Sequence, residues 1–181
     1  MPIRPARPED LDAIAAIYGH HVSTGLGTFE EIPPSAAEMG ERLANVLGKG
    51  LPWLVMDEGG RLEGYAYAGP FRPRAAYRYT VEDSVYVAPD ATGRGVGKAL
   101  LSAVIADCEN LGLRQMAAVI GDSGNAASIG LHRSLGFEQT AVLPSVGFKF
   151  GRWVDVVWMQ RALNGGAETL PDAPGLVLGG A

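Results

Sequence analysis

The segment Val85-Tyr86-Val87-Ala88-Pro89-Asp90-Ala91-Thr92-Gly93-Arg94-Gly95-Val96-Gly97-Lys98-Ala99-Leu100-Leu101 constrains this chain more than any other. Residues 77 to 87 alternate, with Tyr77, Tyr79, Val81, Val85 and Val87 on one parity and Thr80, Glu82, Ser84 and Tyr86 on the other, which predicts a strand. Glycines 93, 95 and 97 follow, and then Leu101, Val104, Ile105, Cys108 and Leu111 recur at helical spacing until Gly112 ends the run. Strand, glycine-rich turn and amphipathic helix in that order call for a helix laid on a sheet, an α/β class. Glycines without Cβ also let successive backbone N–H groups converge where the helix begins, so residues 93 to 98 can cradle a pyrophosphate. The alternative is an ordinary glycine-rich turn, because short glycine motifs recur widely.

Two familiar phosphate cradles fail on spacing. A P-loop needs glycine at position 92 and Ser or Thr after Lys98, where the chain has Thr92 and Ala99. A dinucleotide fingerprint would put its third glycine at Lys98 and would normally open the fold. Neither a nucleoside triphosphate nor NAD is favoured.

The remaining punctuation organises one domain. Pro8-Glu9-Asp10 precedes Leu11, Ile14, Ala15, Tyr18 and Val22 at helical spacing, predicting a helix over 8–23. Ser35 and Glu38 have capping-box spacing ahead of Met39, Leu43, Val46 and Leu47, a second helix that stops near Gly48 or Gly50. Residues 53–56, the turn Glu58-Gly59-Gly60 and residues 62–68 read as an antiparallel hairpin. Met116–Ile120 reads as a buried strand, 125–135 as a short helix closed by Gly136, and 137–143 and 154–159 as two more strands. From Asn164 no period persists, so 164–181 is expected to be a flexible tail on a domain spanning 1–163.

Composition excludes several classes. A chain of 181 residues, 47 % hydrophobic and with net charge −5, suits one folded domain and argues against broad nucleic-acid binding. No apolar run approaches a membrane span, and the opening residues lack the apolar core of a secretory signal, so a cytoplasmic location is expected. One cysteine excludes an internal disulfide, and three histidines without metal spacing give no support to a metal site. His20 and His21 read as surface or packing residues, and Cys108 as a core thiol.

With these residues in view, the chain resembles the GNAT-type acetyl-CoA-dependent N-acetyltransferases. Their cofactor loop, Gln/Arg-x-x-Gly-x-Gly/Ala, is matched by 92–97, with Thr92 in place of Gln or Arg. Asn125-Ala-Ala-Ser128 and Leu131-His132-Arg-Ser-Leu-Gly136-Phe137 are similar to a second family segment, with His132 where many members have Tyr. Residues 65–77, 80–87, 118–121 and 147–156 narrow the resemblance to the phosphinothricin and methionine sulfoximine N-acetyltransferases. It covers roughly residues 3–163 in family order.

The resemblance implies a GNAT fold: a mixed, mostly antiparallel twisted sheet flanked by helices. It implies acetyl transfer from acetyl-CoA to the α-amino group of a small amino-acid analogue by direct attack in a ternary complex, without a metal. Glu82 is then the general base and the Val87 N–H the group that polarises the thioester carbonyl. Because imidazole changes charge near neutral pH, His132 reads either as a proton carrier for the thiolate or the amine or as a helix histidine satisfied by a local hydrogen bond. Val85, Tyr86, Val87, Gly93, Arg94, Gly95, Val96, Gly97, Lys98, Asn125 and Ser128 would meet the cofactor. Arg72 and Arg74 offer guanidinium forks to the acid end of the amine, and Phe29, Tyr77 and Lys149 are candidate pocket walls. A homodimer is also implied, with the late strands that carry Trp153 and Trp158 as an apolar contact surface. Acetylation of another small amine or a peptide N-terminus, and a non-catalytic acyl-CoA sensor that keeps the cradle, remain open alternatives.

Overall fold

The computed structural model describes residues 2–178. Seven strands form one sheet: β1 (Ile3–Pro5), β2 (Trp53–Glu58), β3 (Arg61–Pro70), β4 (Thr80–Val87), β5 (Gln115–Gly121), β6 (Glu138–Lys149) and β7 (Arg152–Ala162). Their spatial order is β1-β2-β3-β4-β5-β7-β6. Every neighbouring pair is antiparallel except β4 and β5. Helices α1 (Leu11–Thr24), α2 (Ala36–Leu47), α3 (Val96–Asn110) and α4 (Ala126–Ser134) cover the sheet.

Local chemistry explains most boundaries. Ser35 caps α2 by accepting from the Glu38 N–H, and the Glu38 carboxylate accepts from the Ser35 N–H, which satisfies donors that a helix start otherwise leaves orphaned. The predicted helix over 8–23 divides into a 3-10 turn at Pro8–Asp10 and then α1. Phe150 and Gly151 both have positive φ, 51° and 73°, the pair of angles that closes a two-residue hairpin between β6 and β7.

Two expectations are corrected here. The strand predicted from 77 starts at Thr80, because 75–77 form a 3-10 turn. The late strands are far longer than 137–143 and 154–159: β6 continues through Pro144, Ser145 and Gly147 by shifting register after Leu143, with Ser145 at φ 55°. A bulge hides such continuity from an alternation count.

The β4–β5 pair positions the site. These parallel strands stay in register only over Thr80–Glu82 and Gln115–Ala117, although both run on to Val87 and Gly121. They diverge from residue 83 onward. Past that point β4 keeps β3 as its neighbour, and its other edge opens into a wedge between the strands. Ala88 donates to the Glu63 carbonyl, so the alternation of an antiparallel ladder turns the N–H groups of Val85 and Val87 toward the wedge.

The core fills both faces of the sheet. On one face Leu100, Leu101, Val104, Ile105 and Cys108 of α3 are buried against β2 to β4. On the other, Trp53, Tyr65 and Tyr67 stack in near-parallel planes and Tyr18 of α1 meets Tyr86 edge-on. Burial pushes the Cys108 thiol up to about 12, which leaves it an inert packing residue.

The segment expected to be loose is docked over residues 164–178. Arg114, itself buried, donates to the carbonyls of Gly166 and Thr169 at 2.9 and 2.8 Å, and the Leu176 N–H donates to the Arg78 carbonyl at 2.8 Å. A periodicity search overlooks such a segment because its anchors are backbone carbonyls rather than a repeating apolar face. Residues 179–181 lie outside the described residues. Among the described residues no helix is long and apolar enough to cross a membrane, and no group of three or more His, Cys, Asp or Glu side chains could hold a metal.

Candidate acyl-transfer site

The wedge between β4 and β5 widens into a cleft of about 840 Å³, lined by β4 from Glu82 to Val87, the turn into α3, the end of β5, the start of α4 and the loop after α1. Gly93 and Gly95 stand at φ 76° and 82°, a region that costs an L-residue roughly 1–2 kcal/mol, and open space surrounds the position of a Cβ at each. Gly97 answers a packing demand: a Cβ there would lie 3.3 Å from Leu131 and 3.4 Å from Val87. The first helical bond of α3 runs from the Ala99 N–H to the Gly95 carbonyl. The N–H groups of Val96, Gly97 and Lys98 are therefore free for an anion at the positive end of the helix. A diphosphate fits this turn, and the exposed edge of β4 fits an amide-bearing arm.

Val85, Tyr86, Val87, Gly93, Gly95, Val96, Gly97, Lys98, Asn125 and Ser128 all line this cleft. Arg94 does not. Its guanidinium turns away to Glu63 and Glu58, at 2.7 and 2.8 Å, so its side chain braces the turn against β2 and β3. Glu63 is buried and also pairs with Arg61, which in turn meets Asp90. Asn125 caps α4 by accepting from the Ser128 N–H at 3.2 Å.

Glu82 reaches the narrow end of the cleft, where the two strands part. Burial raises its pKa above the usual carboxylate range; the Arg72 charge opposes this shift and the Asp83 charge reinforces it. A half-buried carboxyl with a raised pKa is suited to take a proton near neutral pH.

Of the two readings of His132, the structure shows the hydrogen-bonded helix histidine, with a second partner on β4. Its Nε2 lies 3.0 Å from Asp83 Oδ2 and its Nδ1 lies 2.7 Å from the Ser128 carbonyl, so both ring nitrogens are engaged. Burial alone would lower its pKa, but the Asp83 hydrogen bond and charge and the Ser128 carbonyl together raise it, favouring an imidazolium held in a buried ion pair. Asp83 Oδ1 is buried and has no hydrogen-bond partner among the described residues. The pair ties α4 to β4 where the wedge opens.

Of the expected substrate contacts, Arg72 has its guanidinium over the rings of Phe71 (4.6 Å) and Trp158 (5.7 Å), and its charge acts on Glu82. Tyr77 meets Phe71 edge-on, and Arg74 precedes the 3-10 turn on an exposed loop. Phe29 lies against β5 and β6; a Cβ on Gly147 would come 2.3 Å from its ring. Lys149 is corrected from pocket wall to anchor. It is fully buried, and its ammonium donates to the carbonyls of Gly25 and Thr28 at 2.9 and 2.8 Å, holding the loop between α1 and α2.

His21, read from sequence as packing, faces the cleft and its Nε2 lies 2.8 Å from the Val87 carbonyl. Burial lowers its pKa, while the Val87 carbonyl opposes that shift, so the neutral ring donates to the strand. Nothing in the local pattern of α1 announces this contact, which spans 66 positions. Thr28 also lines the cleft and carries no motif.

Comparison with known proteins agrees with this geometry. The acetyltransferase (GNAT) domain family matches residues 3–158. Over 170 residues the chain is 59 % identical to a phosphinothricin N-acetyltransferase of Alcaligenes faecalis, covering 94 % of this chain and 86 % of that one. It is 45 % identical to an L-methionine sulfoximine/L-methionine sulfone acetyltransferase of Pseudomonas aeruginosa, covering 90 % and 94 %. A crystal structure of a phosphinothricin acetyltransferase from Sinorhizobium meliloti in complex with AcCoA superposes with a TM-score of 0.91 at 49 % identity, covering 94 % and 92 % of the two chains. With a sheet that splays beside a glycine turn and a family match over most of its length, this chain belongs to the GNAT acetyltransferases.

Proposed function

We propose that this enzyme transfers the acetyl group of acetyl-CoA to the α-amino group of a small amino-acid analogue, with methionine sulfoximine, methionine sulfone and phosphinothricin as the first substrates to test. One observation carries the reading: a carboxyl with a raised pKa, Glu82, sits at the narrow end of a cleft whose other end is a glycine-built anion turn. The names of the relatives supply the substrate class.

Acetyl-CoA supplies an activated acyl group as a thioester and leaves as the free thiol. The chain does the rest. The N–H groups of residues 96–98 hold the diphosphate, and the edge of β4 from Val85 to Val87, whose Val87 carbonyl is already engaged by His21, pairs through its remaining backbone groups with the pantetheine arm, fixing the thioester relative to Glu82. The Val87 N–H polarises the acyl carbonyl as negative charge grows on its oxygen. Glu82, directly or through one water, takes one proton from the substrate ammonium, the amine lone pair forms the C–N bond, and as the C–S bond breaks the second nitrogen proton passes to the departing thiolate sulfur. The buried Asp83–His132 pair holds α4 against β4 and keeps this geometry; with both ring nitrogens engaged, His132 acts as a positioning residue. Arg72, and Arg74 beside it in the loop, receive the acid end of the amine substrate.

The enzyme works in the cytoplasm, where acetyl-CoA is made, and as a homodimer. Phe148, Phe150 and Trp153 on the β6–β7 hairpin, exposed by 57, 58 and 66 %, support that assembly as an apolar patch. The deciding experiment is an amine panel with acetyl-CoA, read by release of free thiol. Turnover with the amino-acid analogues and not with peptides supports the proposal. Efficient peptide turnover alone, or acetyl-CoA binding with no amine-dependent thiol release, replaces it with a peptide acetyltransferase or an acyl-CoA sensor.

A further inference from the structure

The segment that follows β7 does not line the cleft, yet it reaches the loop that carries Arg72 and Arg74. It is anchored first at the far end of α3, where Asn164 donates to the carbonyls of Glu109 and Leu113 at 2.7 and 3.1 Å. Arg114 then holds Gly166 and Thr169. Beyond Thr169 the chain crosses to the start of β4, where Tyr79 donates to the Ala173 carbonyl at 2.8 Å and the Leu176 N–H donates to the Arg78 carbonyl. Leu176 packs against the core. Gly175 has φ 73°, and a Cβ there would lie 2.7 Å from Arg78 Cγ and 2.8 Å from the Tyr79 ring.

Arg78 is the closing residue of that loop. Its N–H and its Nε both donate to the Ala75 carbonyl, at 3.2 and 2.8 Å, and the Tyr77 N–H donates to the Arg74 carbonyl. At the other end the Phe71 N–H donates to the Thr80 carbonyl at 3.3 Å. The arginine loop thus hangs between a β-bridge and an arginine that residues 173–176 grip.

We infer that residues 171–178 form a strap that sets the position of the 71–79 loop, and through it the fit of the acid end of the amine substrate. This rests on the substrate reading given above. Among the described residues the hydrogen bonds of the strap go to Arg78 and Tyr79 and none of its residues lines the cleft, so it acts on the amine side and leaves the thioester side unchanged.

Deleting 171–181 removes the Tyr79 and Arg78 contacts while keeping the Arg114 anchors. The deletion should raise KM for the amine about tenfold, with KM for acetyl-CoA and kcat within about twofold, because a small misplacement of a binding group costs that much. It should also speed tryptic cleavage at Arg74–Ala75 in the folded protein by about tenfold relative to the full chain, since local opening governs such cuts. Gly175→Val, which forces the strap off Arg78 without shortening the chain, should act in the same direction. Equal rises in both KM values, or unchanged amine KM with unchanged cleavage, would overturn the strap. If the intact enzyme turns over none of the analogues, the substrate reading fails, and the tryptic comparison alone decides whether the strap holds the loop.

Discussion

At the scale of single residues, Glu82 combines two opposing influences, burial that raises its pKa and the Arg72 charge that lowers it. Glu82→Gln should cut kcat by about 10²–10⁴-fold and change acetyl-CoA affinity by less than about threefold, measured by thiol release and calorimetry. Arg72→Met removes the lowering influence, so the acid limb of the kcat/KM profile should move to higher pH; an unmoved limb would show that Glu82 is not the group titrating. Stability follows the same sign. Folding favours the protonated form of a carboxyl whose pKa it raises, so ionised Glu82 costs stability above that raised pKa and nothing below the ordinary carboxylate range. Glu82→Gln should therefore unfold at a higher urea concentration than the parent at pH 8, with the difference gone by pH 4.

At the scale of elements, the glycine turn and the loop after α1 are held in opposite ways. The turn is held by backbone conformation, and Gly95→Val, at φ 82°, forces a β-branched residue into the left-handed region and puts bulk beside the anion position. It should weaken acetyl-CoA binding at least about tenfold by calorimetry, beyond its roughly 1–2 kcal/mol effect on folding. The loop is held by side chains that reach it from elsewhere: Tyr18, Arg42 and the buried Lys149 ammonium. Lys149→Met would strip the Gly25 and Thr28 carbonyls of their donor, and urea titration should find about 2–4 kcal/mol lost. The glycine turn was legible in the sequence because its requirement is local. Lys149 was not: an isolated lysine near the end of a strand carries no sign of the carbonyls, more than 120 positions away, that it serves.

At the scale of the molecule, the open face of the β6–β7 hairpin is where a second copy is expected to bind. Trp153→Asp combined with Phe148→Asp should turn a dimer into a monomer in sedimentation velocity, with the secondary structure seen by circular dichroism unchanged. Sedimentation of the unaltered protein as a monomer would remove the homodimer from the proposal.

Local sequence determined the α/β class, the caps of the helices, the β2–β3 hairpin and the strand-turn-helix unit that makes the anion site, because each depends on contacts within a few residues. Family resemblance added Glu82 as the proposed base. Tertiary structure alone decided that β4 and β5 part at residue 83, that Arg94 turns to Glu63, that His132 is locked to Asp83, and that residues 173–176 reach Arg78. Those outcomes depend on which distant groups compete for each hydrogen bond and charge once the chain is compact, and no window along the sequence contains both partners.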